Sequence, residues 1–384
     1  MRTRADFRPP LIPTSWDHPV TTLDHDLKSQ IVRPRDLSAT EIDLWESFCR
    51  ADASLRHPFF SSAFARAVDR VRPDVFVAVL RDRDRTAGFL PFQFPGPIAK
   101  AMRAAERVGG LLSDRFGLIG DQSLRLPSGQ LLGLARLRSL SYAYMPTQQL
   151  QHGFPVERPT IGQRVRLSGD AASFWTILKD CSRKFATQLE RKERVLEREL
   201  GPLRTMFEAD PTVELPRLIE QKRAQYRRTG VDDVLAAPWA RELFLDLHRI
   251  PDRNCRVALS TLYAGGTWLA THLGIMSADV FHHWFPVHNP DWHRCSPGHI
   301  LTKHLIFSAS SAGISCFDFG GYSGYKDFFR PERYQMHAGF LPGPGIGGRV
   351  NQAVQSLGWR IDALRHGRGG QPVRSAATSG DVGR

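Results

Sequence analysis

Between Val75 and Phe94 the chain reads VFVAVLRDRDRTAGFLPFQF, two apolar runs joined by a charged one. Val75–Leu80 predicts a strand, Arg81–Arg85 a turn, and Ala87–Phe94 the returning strand. Helical spacing ahead of this hairpin predicts helices near Glu41–Arg50 and at Ser61–Val71. A similar unit, RVALSTLYAGGTWLATHLGIM, occurs in the second half, with strands at Val257–Tyr263 and Thr267–Met276 joined by Ala264-Gly265-Gly266. Setting Val77-Ala78 on Val257-Ala258 separates the hairpins by 180 residues, which suggests duplication of one domain.

Between the halves, Phe174, Leu178, Cys181, Phe185, Leu189, Leu196 and Leu200 recur mostly at three- and four-residue steps until Gly201-Pro202 stops them. One long amphipathic helix is expected. Its polar face carries Arg183, Lys184, Arg191, Lys192, Arg194 and Arg198, with Glu190, Glu193, Glu197 and Glu199 as partners at helical spacing. That face is read as solvated and self-paired, the alternative being a surface for a polyanion. Beyond it the pattern predicts a strand at Arg204–Glu208, helices around Val213–Arg228 and Trp239–Leu247, and the hairpin. A third antiparallel strand at Val280–Phe285, a helix from Gly298 to Ala312 and a strand at Ile314–Phe319 complete it. The expected organisation is an N-terminal extension (1–36), a first domain (37–165), a second (166–345) and a C-terminal helix and flexible tail (346–384).

Composition narrows the function without choosing it. Five scattered cysteines with no C-x-x-C pair read as reduced thiols. No apolar run reaches the roughly 18 residues of a membrane span, and the opening MRTRADFRPPLIPTSW lacks the apolar centre of a signal peptide, so a cytoplasmic protein is expected. A formal net charge of +13 invites nucleic acid, an anionic membrane face or a phosphorylated small molecule as partner.

The candidate chemistry lies in the second half. In HHWFPVHNPDWHRCSPGHILTKHLIF, Ser296-Pro297 reads as a helix cap, and Gly298 lets a ligand approach the first turn. The free N–H groups there suit the pyrophosphate of coenzyme A, with Arg294, His293 and His299 adding charge. His272 and the cluster His282, His283 and His288, on successive strands and an exit loop, are candidate proton acceptors, and Trp284 is bulky and adjacent. Asp318 ends a strand, where it is read as shaping the turn at Gly320-Gly321. The histidines lack metal-ligand spacing, so no metal is expected. PGPGIGGR at Pro342–Arg349 has no βαβ unit around it and reads as a linker.

The blocks LATHLGIM, HHWFPVHNP, CSPGHILTKHLI and CFDFGGYSGYKDFF, with HPFFSSAF and GGLLSDRFG in the first half, resemble the acetyltransferases of the GNAT superfamily. The likeness is to the CelD/BcsL cellulose-biosynthesis type, related to the Fem-type aminoacyltransferases. The resemblance implies an α/β (α+β) fold of two tandem GNAT-like domains, mixed central sheets flanked by helices, the first domain having lost its coenzyme site. It implies an acyl-CoA-dependent N-acyltransferase using acetyl-CoA, with an amino sugar or other amine as acceptor. A tRNA-dependent Fem-like transferase and a non-catalytic scaffold for a polysaccharide synthase are the alternatives. On this reading Tyr325-Lys326 matches the aromatic-Lys pair after the DFGG strand end, and Lys326 stabilises a developing oxyanion. His272 is the candidate base; Arg294, Ser296, Gly298 and His299 hold the donor; Trp284, His288, Asp114 and Asp318 face the acceptor. Two departures, Asn289 for an acidic residue and Arg115 after Asp114 where tyrosine is usual, are expected to alter the acceptor pocket.

Overall fold

The computed structural model describes residues 27–167, 171–250, 252–345, 347–348 and 351; the expected tail, from about Arg365, lies outside them. The first half runs β1 (Leu27–Val32), α1 (Ala39–Ala51), α2 (Ser62–Val71), β2 (Val75–Asp82), β3 (Arg85–Gln93), a short α3 (Pro97–Ala101), β4 (Ala104–Glu106), β5 (Ile119–Gly120), α4 (Ser128–Leu134), β6 (Ser139–Pro146) and β7 (Arg158–Arg166). Then come α5 (Ala171–Cys181) and α6 (Arg183–Leu200). The second half is β8 (Leu203–Met206), α7 (Pro211–Thr229), α8 (Pro238–Arg249), β9 (Arg256–Ala264), β10 (Thr267–Met276), β11 (Val280–His288), α9 (Pro297–Ser311), β12 (Cys316–Gly321) and β13 (Glu332–Pro342). Strand, two helices, three strands, helix, strand thus occurs twice, the repeat that the two hairpins suggested.

The strands form one mixed sheet of 13, in the order β1-β2-β3-β4-β6-β13-β7-β12-β11-β10-β9-β8, with β5 attached to β3. Each half contributes one parallel pair, β4 with β6 and β11 with β12. At the centre the halves exchange strands. β7 leaves the first half to lie between β12 and β13, and β13 returns to lie between β6 and β7. The exchange pairs the inner edge of each half and merges the two expected sheets into one.

Two expectations are corrected. The expected extension contains β1, which edges the sheet against β2; its sequence LKSQIV is short and half polar, as edge strands tend to be, and carries little periodicity. The connecting helix is two helices. Ser182 breaks it with φ −140° and ψ 43°, and α5 folds back so that Trp175 Nε1 donates to Glu190 Oε1 at 2.9 Å. In one continuous helix those residues would stand about 22 Å apart. The apolar spacing holds on both sides of Ser182, so periodicity could not reveal the turn.

Helices α2, α7 and α8 cover one face of the second half over Leu259, Leu273, Ile275 and Phe285. Helices α5, α6 and α9 cover the other over Ala270, Phe281, Phe317 and Phe319. Between these layers β11 and β12 run side by side only from Val280–Cys316 to His282–Asp318. Both strands bulge where they part. Leu273 faces Phe285 but Ile275 faces His282, leaving an extra residue at His283-Trp284. In β12 the register with β7 shifts between Asp318 and Gly320. Such bulges re-aim side chains.

Candidate active site

A buried charged layer lies at the root of the divergence and joins the halves. Arg115 donates to the Asp318 carboxylate and, at 2.6 Å, to Tyr334 Oη; Tyr334 donates to Asp318 Oδ2 at 2.7 Å. The Gly320 N–H donates to Asp318 Oδ1 at 2.5 Å. His282 is sandwiched between carboxylates, Nε2 3.2 Å from Asp114 Oδ2 and Nδ1 3.6 Å from Asp318 Oδ1, close charge contacts rather than aligned hydrogen bonds. Burial works against every charge here. For Asp318 it is overcome first by Arg115 and then by His282, which hold the carboxyl well below its ordinary value. For His282 burial is outweighed by Asp114 and Asp318, which hold its pKa above normal. Gly320 adopts φ +72°, and a Cβ there would stand 2.9 Å from both Asp114 Oδ2 and His282 Cε1, so glycine is required for the layer to close.

Lys326 answers to this layer from the 3₁₀ turn Gly324–Phe329. Its side chain is fully buried, and Nζ donates to Phe319 O at 2.7 Å and Gly321 O at 2.8 Å, the carbonyls of the freed end of β12. An ammonium has three donors, so one remains for a substrate oxygen. Burial, moderated by Asp114 and Asp318, lowers its pKa to about 7. Tyr325 beside it is half-buried, with its hydroxyl buried and without a partner, and burial raises its pKa. His272 and His283 stack with ring centroids 4.2 Å apart. Neither ring nitrogen of His272, nor Nδ1 of His283, has a hydrogen-bond partner. Burial keeps both neutral, His272 at about 3 and His283 well below normal. Buried polar atoms without partners are rare in folded proteins, and several of them lie together here.

The start of α9 lies at the far end of β11. Ser296 adopts a left-handed conformation, φ 51°, and makes no side-chain cap; the expected capping hydroxyl instead accepts from Lys192 of α6 at 2.7 Å. His288 and His293 meet beside it, 3.3 Å apart. A Cβ on Gly298 would find only His288 Nδ1, at 4.0 Å, so the first turn is open. Two expected donor residues face elsewhere. Arg294 is exposed and pairs with Glu199 at 2.7 Å. His299 packs against Phe185, Phe328 and Phe329 and is lowered by burial to about 4.

The structure therefore brings Asp114, Asp318, His272, Tyr325 and Lys326 into one buried region and separates His288 from it. Trp284, expected to line a pocket, is a core residue: its indole donates to Leu112 O at 2.9 Å among Phe59, Phe244 and Phe285. Asn289 caps the following turn through Asp291 N and holds Trp268 O, a structural loop anchor rather than a pocket residue. Among the described residues the expected self-pairing within α6 is limited to Glu199 with Arg198 at 3.7 Å, and the closer contacts run to other elements. Glu190 meets Lys179, Glu193 meets Lys303, and Glu199 meets Arg294. In the sequence Lys192 stands out only as part of the polar face of α6 and His57 only within the HPFFSSAF block, whereas Lys222 was not singled out. Lys222 had a signal, since it lies four residues from both Leu218 and Tyr226, on the apolar face of α7.

The charged layer also contains a grouping not anticipated from spacing. Ligand atoms of His57, His282 and Asp318 lie within 4.8 Å of one another. Two features disfavour a metal there: Arg115 and Tyr334 already occupy Asp318 Oδ2, and His57 Nδ1 accepts from Phe59 N, which leaves the proton on Nε2. His57 also borders a cavity of about 430 Å³ between the halves, lined by Glu46, Arg50, Arg56, Arg253 and Asp279.

Comparison with known proteins fits this architecture. Residues 183–334 match the family described as an acetyltransferase (GNAT) domain. The crystal structure of FemX superposes with a TM-score of 0.56 at 11% identity, covering 85% of this chain and 99% of that one. The C-terminal domain of a putative lysylphosphatidylglycerol synthetase from Agrobacterium fabrum gives 0.49 at 12% identity, over 83% and 96% of the two chains. A tandem GNAT protein from the clavulanic acid biosynthesis pathway gives 0.48 at 13%, over 84% and 100%. No curated protein matches the chain by sequence. The protein thus has a GNAT acyltransferase fold, with the GNAT domain in its C-terminal half. Among the described residues no helix is long and apolar enough to cross a membrane.

Proposed function

We propose that the protein is an acyl-CoA-dependent N-acyltransferase of the CelD/BcsL kind, acting in the cytoplasm. It would move an acetyl group directly from acetyl-CoA to an amino sugar or another amine used in polysaccharide or envelope assembly. The observation that carries this reading is Lys326: a lysine with two donors fixed on diverging backbone and a third unused, buried where β11 and β12 part. A cation held there costs little reorganisation when a thioester carbonyl becomes an oxyanion. The open first turn of α9, with Lys192, His288 and His293 around it, suits the phosphates of the donor.

A second reading has a specific observation behind it. Because Glu190 and Glu193 of α6 are drawn to other elements and Glu199 is shared between Arg198 and Arg294, Arg183, Lys184 and Arg191 stay exposed with no carboxylate partner among the described residues. An exposed basic face of this kind suits a tRNA-borne donor, as in the Fem-like alternative. Steady-state kinetics on Lys326→Met test the first reading. Turnover with acetyl-CoA should fall about 10²–10³-fold with the acetyl-CoA KM little changed. Wild-type turnover in that variant, or acyl transfer that requires aminoacyl-tRNA, would overturn it.

A further inference from the structure

Lys222 is a buried lysine to which nothing above gives a task. It projects from the middle of α7, is fully buried, and forms no ion pair among the described residues. Its Nζ donates to Pro286 O at 3.4 Å, a long bond to a carbonyl of β11 beyond the bulge. The rings of Tyr226 and Phe285 lie 5.4 and 5.9 Å from it. Burying an amine without an acid partner is costly, and α7 has an alternative that costs nothing: any aliphatic residue would fill the same space.

The placement supplies a reason. Lys222 is anchored on β11 and Lys326 on β12, the two strands that separate here. We propose that Lys222 is the second lysine of the reaction site, the free amine that takes the proton an acceptor amine loses on attacking the thioester. This rests on the acyl-transfer reading above. The acceptor nitrogen forms its bond to the carbonyl carbon and gives a proton to Lys222 Nζ, while the carbonyl electron pair moves to oxygen beside the Lys326 ammonium. On collapse the carbon–sulfur bond breaks, the thiolate takes the proton back from Lys222, and both lysines return to their starting states. No other co-reactant is needed.

The surroundings favour this division. Lys326, from the turn after β12, acts on Lys222, and Lys222 in turn helps to lower His272 of β10 and His283 of β11, both of which burial keeps neutral. Burial, then the charge of Lys326, lowers Lys222 to about 7. Two ammonium groups in one dry site repel, so one charge shared between the pair is the stable arrangement.

The test has two arms on the full chain. In the first, lysine side-chain NMR titration, assigned with Lys222→Met, should show Lys222 titrating near pH 7 and moving up by about one unit or more in Lys326→Met, because a like charge is gone. A midpoint near the ordinary 10.5, or no response to Lys326→Met, would overturn the proposal. In the second, Lys222→Arg keeps a cation that cannot act as a base. It should lower kcat about 10²–10⁴-fold and abolish the acidic limb of the kcat/KM profile, with acetyl-CoA affinity retained. Full turnover in Lys222→Arg would show that the lysine is not the base. A wild type that binds no acetyl-CoA would instead remove the acyl-transfer reading, and this proposal with it.

Discussion

Replacing Asp318 by asparagine would test whether the charged layer is held together by charge rather than shape. The substitution keeps the side chain's volume but removes the negative charge that Arg115 donates to, and places an amide where Arg115, Tyr334 and Gly320 all offer donors. Breaking a buried ion pair by removing one partner costs about 3–5 kcal/mol. Asp114 still acts on Arg115, which points to the lower end, about 3 kcal/mol. Urea unfolding at pH 7, followed by tryptophan fluorescence, measures this directly. The pH dependence gives a second check. The Asp318 carboxyl lies well below its ordinary value of 3.8 in the fold, so its contribution is present above about pH 4 and lost as pH falls through the folded value. The gap between wild type and Asp318→Asn should therefore narrow below pH 4. A loss under about 1 kcal/mol at pH 7, or a gap independent of pH, would refute the reasoning.

Two other outcomes follow from the geometry. Lys192→Glu should weaken acetyl-CoA binding about tenfold or more in low salt, because Lys192 stands at the start of α9, whereas Arg191→Glu on the exposed face should leave it unchanged; equal effects would show that only net charge matters. Lys222 and Lys326, both lowered to about 7 by burial, bind protons more weakly in the fold than unfolded. Stability should consequently rise with pH between about 7 and 10.5, by up to about 1.4 kcal/mol per unit for each lysine, and the slope should shrink in Lys326→Met. Chemical denaturation at pH 7, 8 and 9 measures it, and a flat profile would contradict the burial of charged amines.

Much of the fold could be read from the sequence because the β2–β3 and β9–β10 hairpins and helices α7 to α9 depend on local pattern. The exchange of β7 and β13 was not legible, since strand order is set by pairing between segments some 170 residues apart. The break at Ser182 was hidden because the apolar phase survives it. At the site, Lys326, Tyr325, Asp318 and His272 were found through the DFGG and ATHLG blocks, and Asp114 through SDRFG. What could not be read is which polar groups end up without partners. Asn289 and Trp284 looked chemical beside the histidines, yet the fold gives their polar atoms backbone partners. Arg115, noted only as a departure, is the cation of the first half that binds both Asp318 and Tyr334 of the second.

Acyl transfer by this protein requires an acyl-CoA donor bound at the start of α9, and calorimetric titration with acetyl-CoA tests that most directly. The wild type should bind one acetyl-CoA per chain. Gly298→Val should bind it at least tenfold more weakly with its thermal stability kept, because its added methyl groups enter open space at the α9 start, where only His288 is near. Absence of heat with the wild type, or equal affinity in Gly298→Val, would contradict the placement of an acyl-CoA donor between β11 and α9.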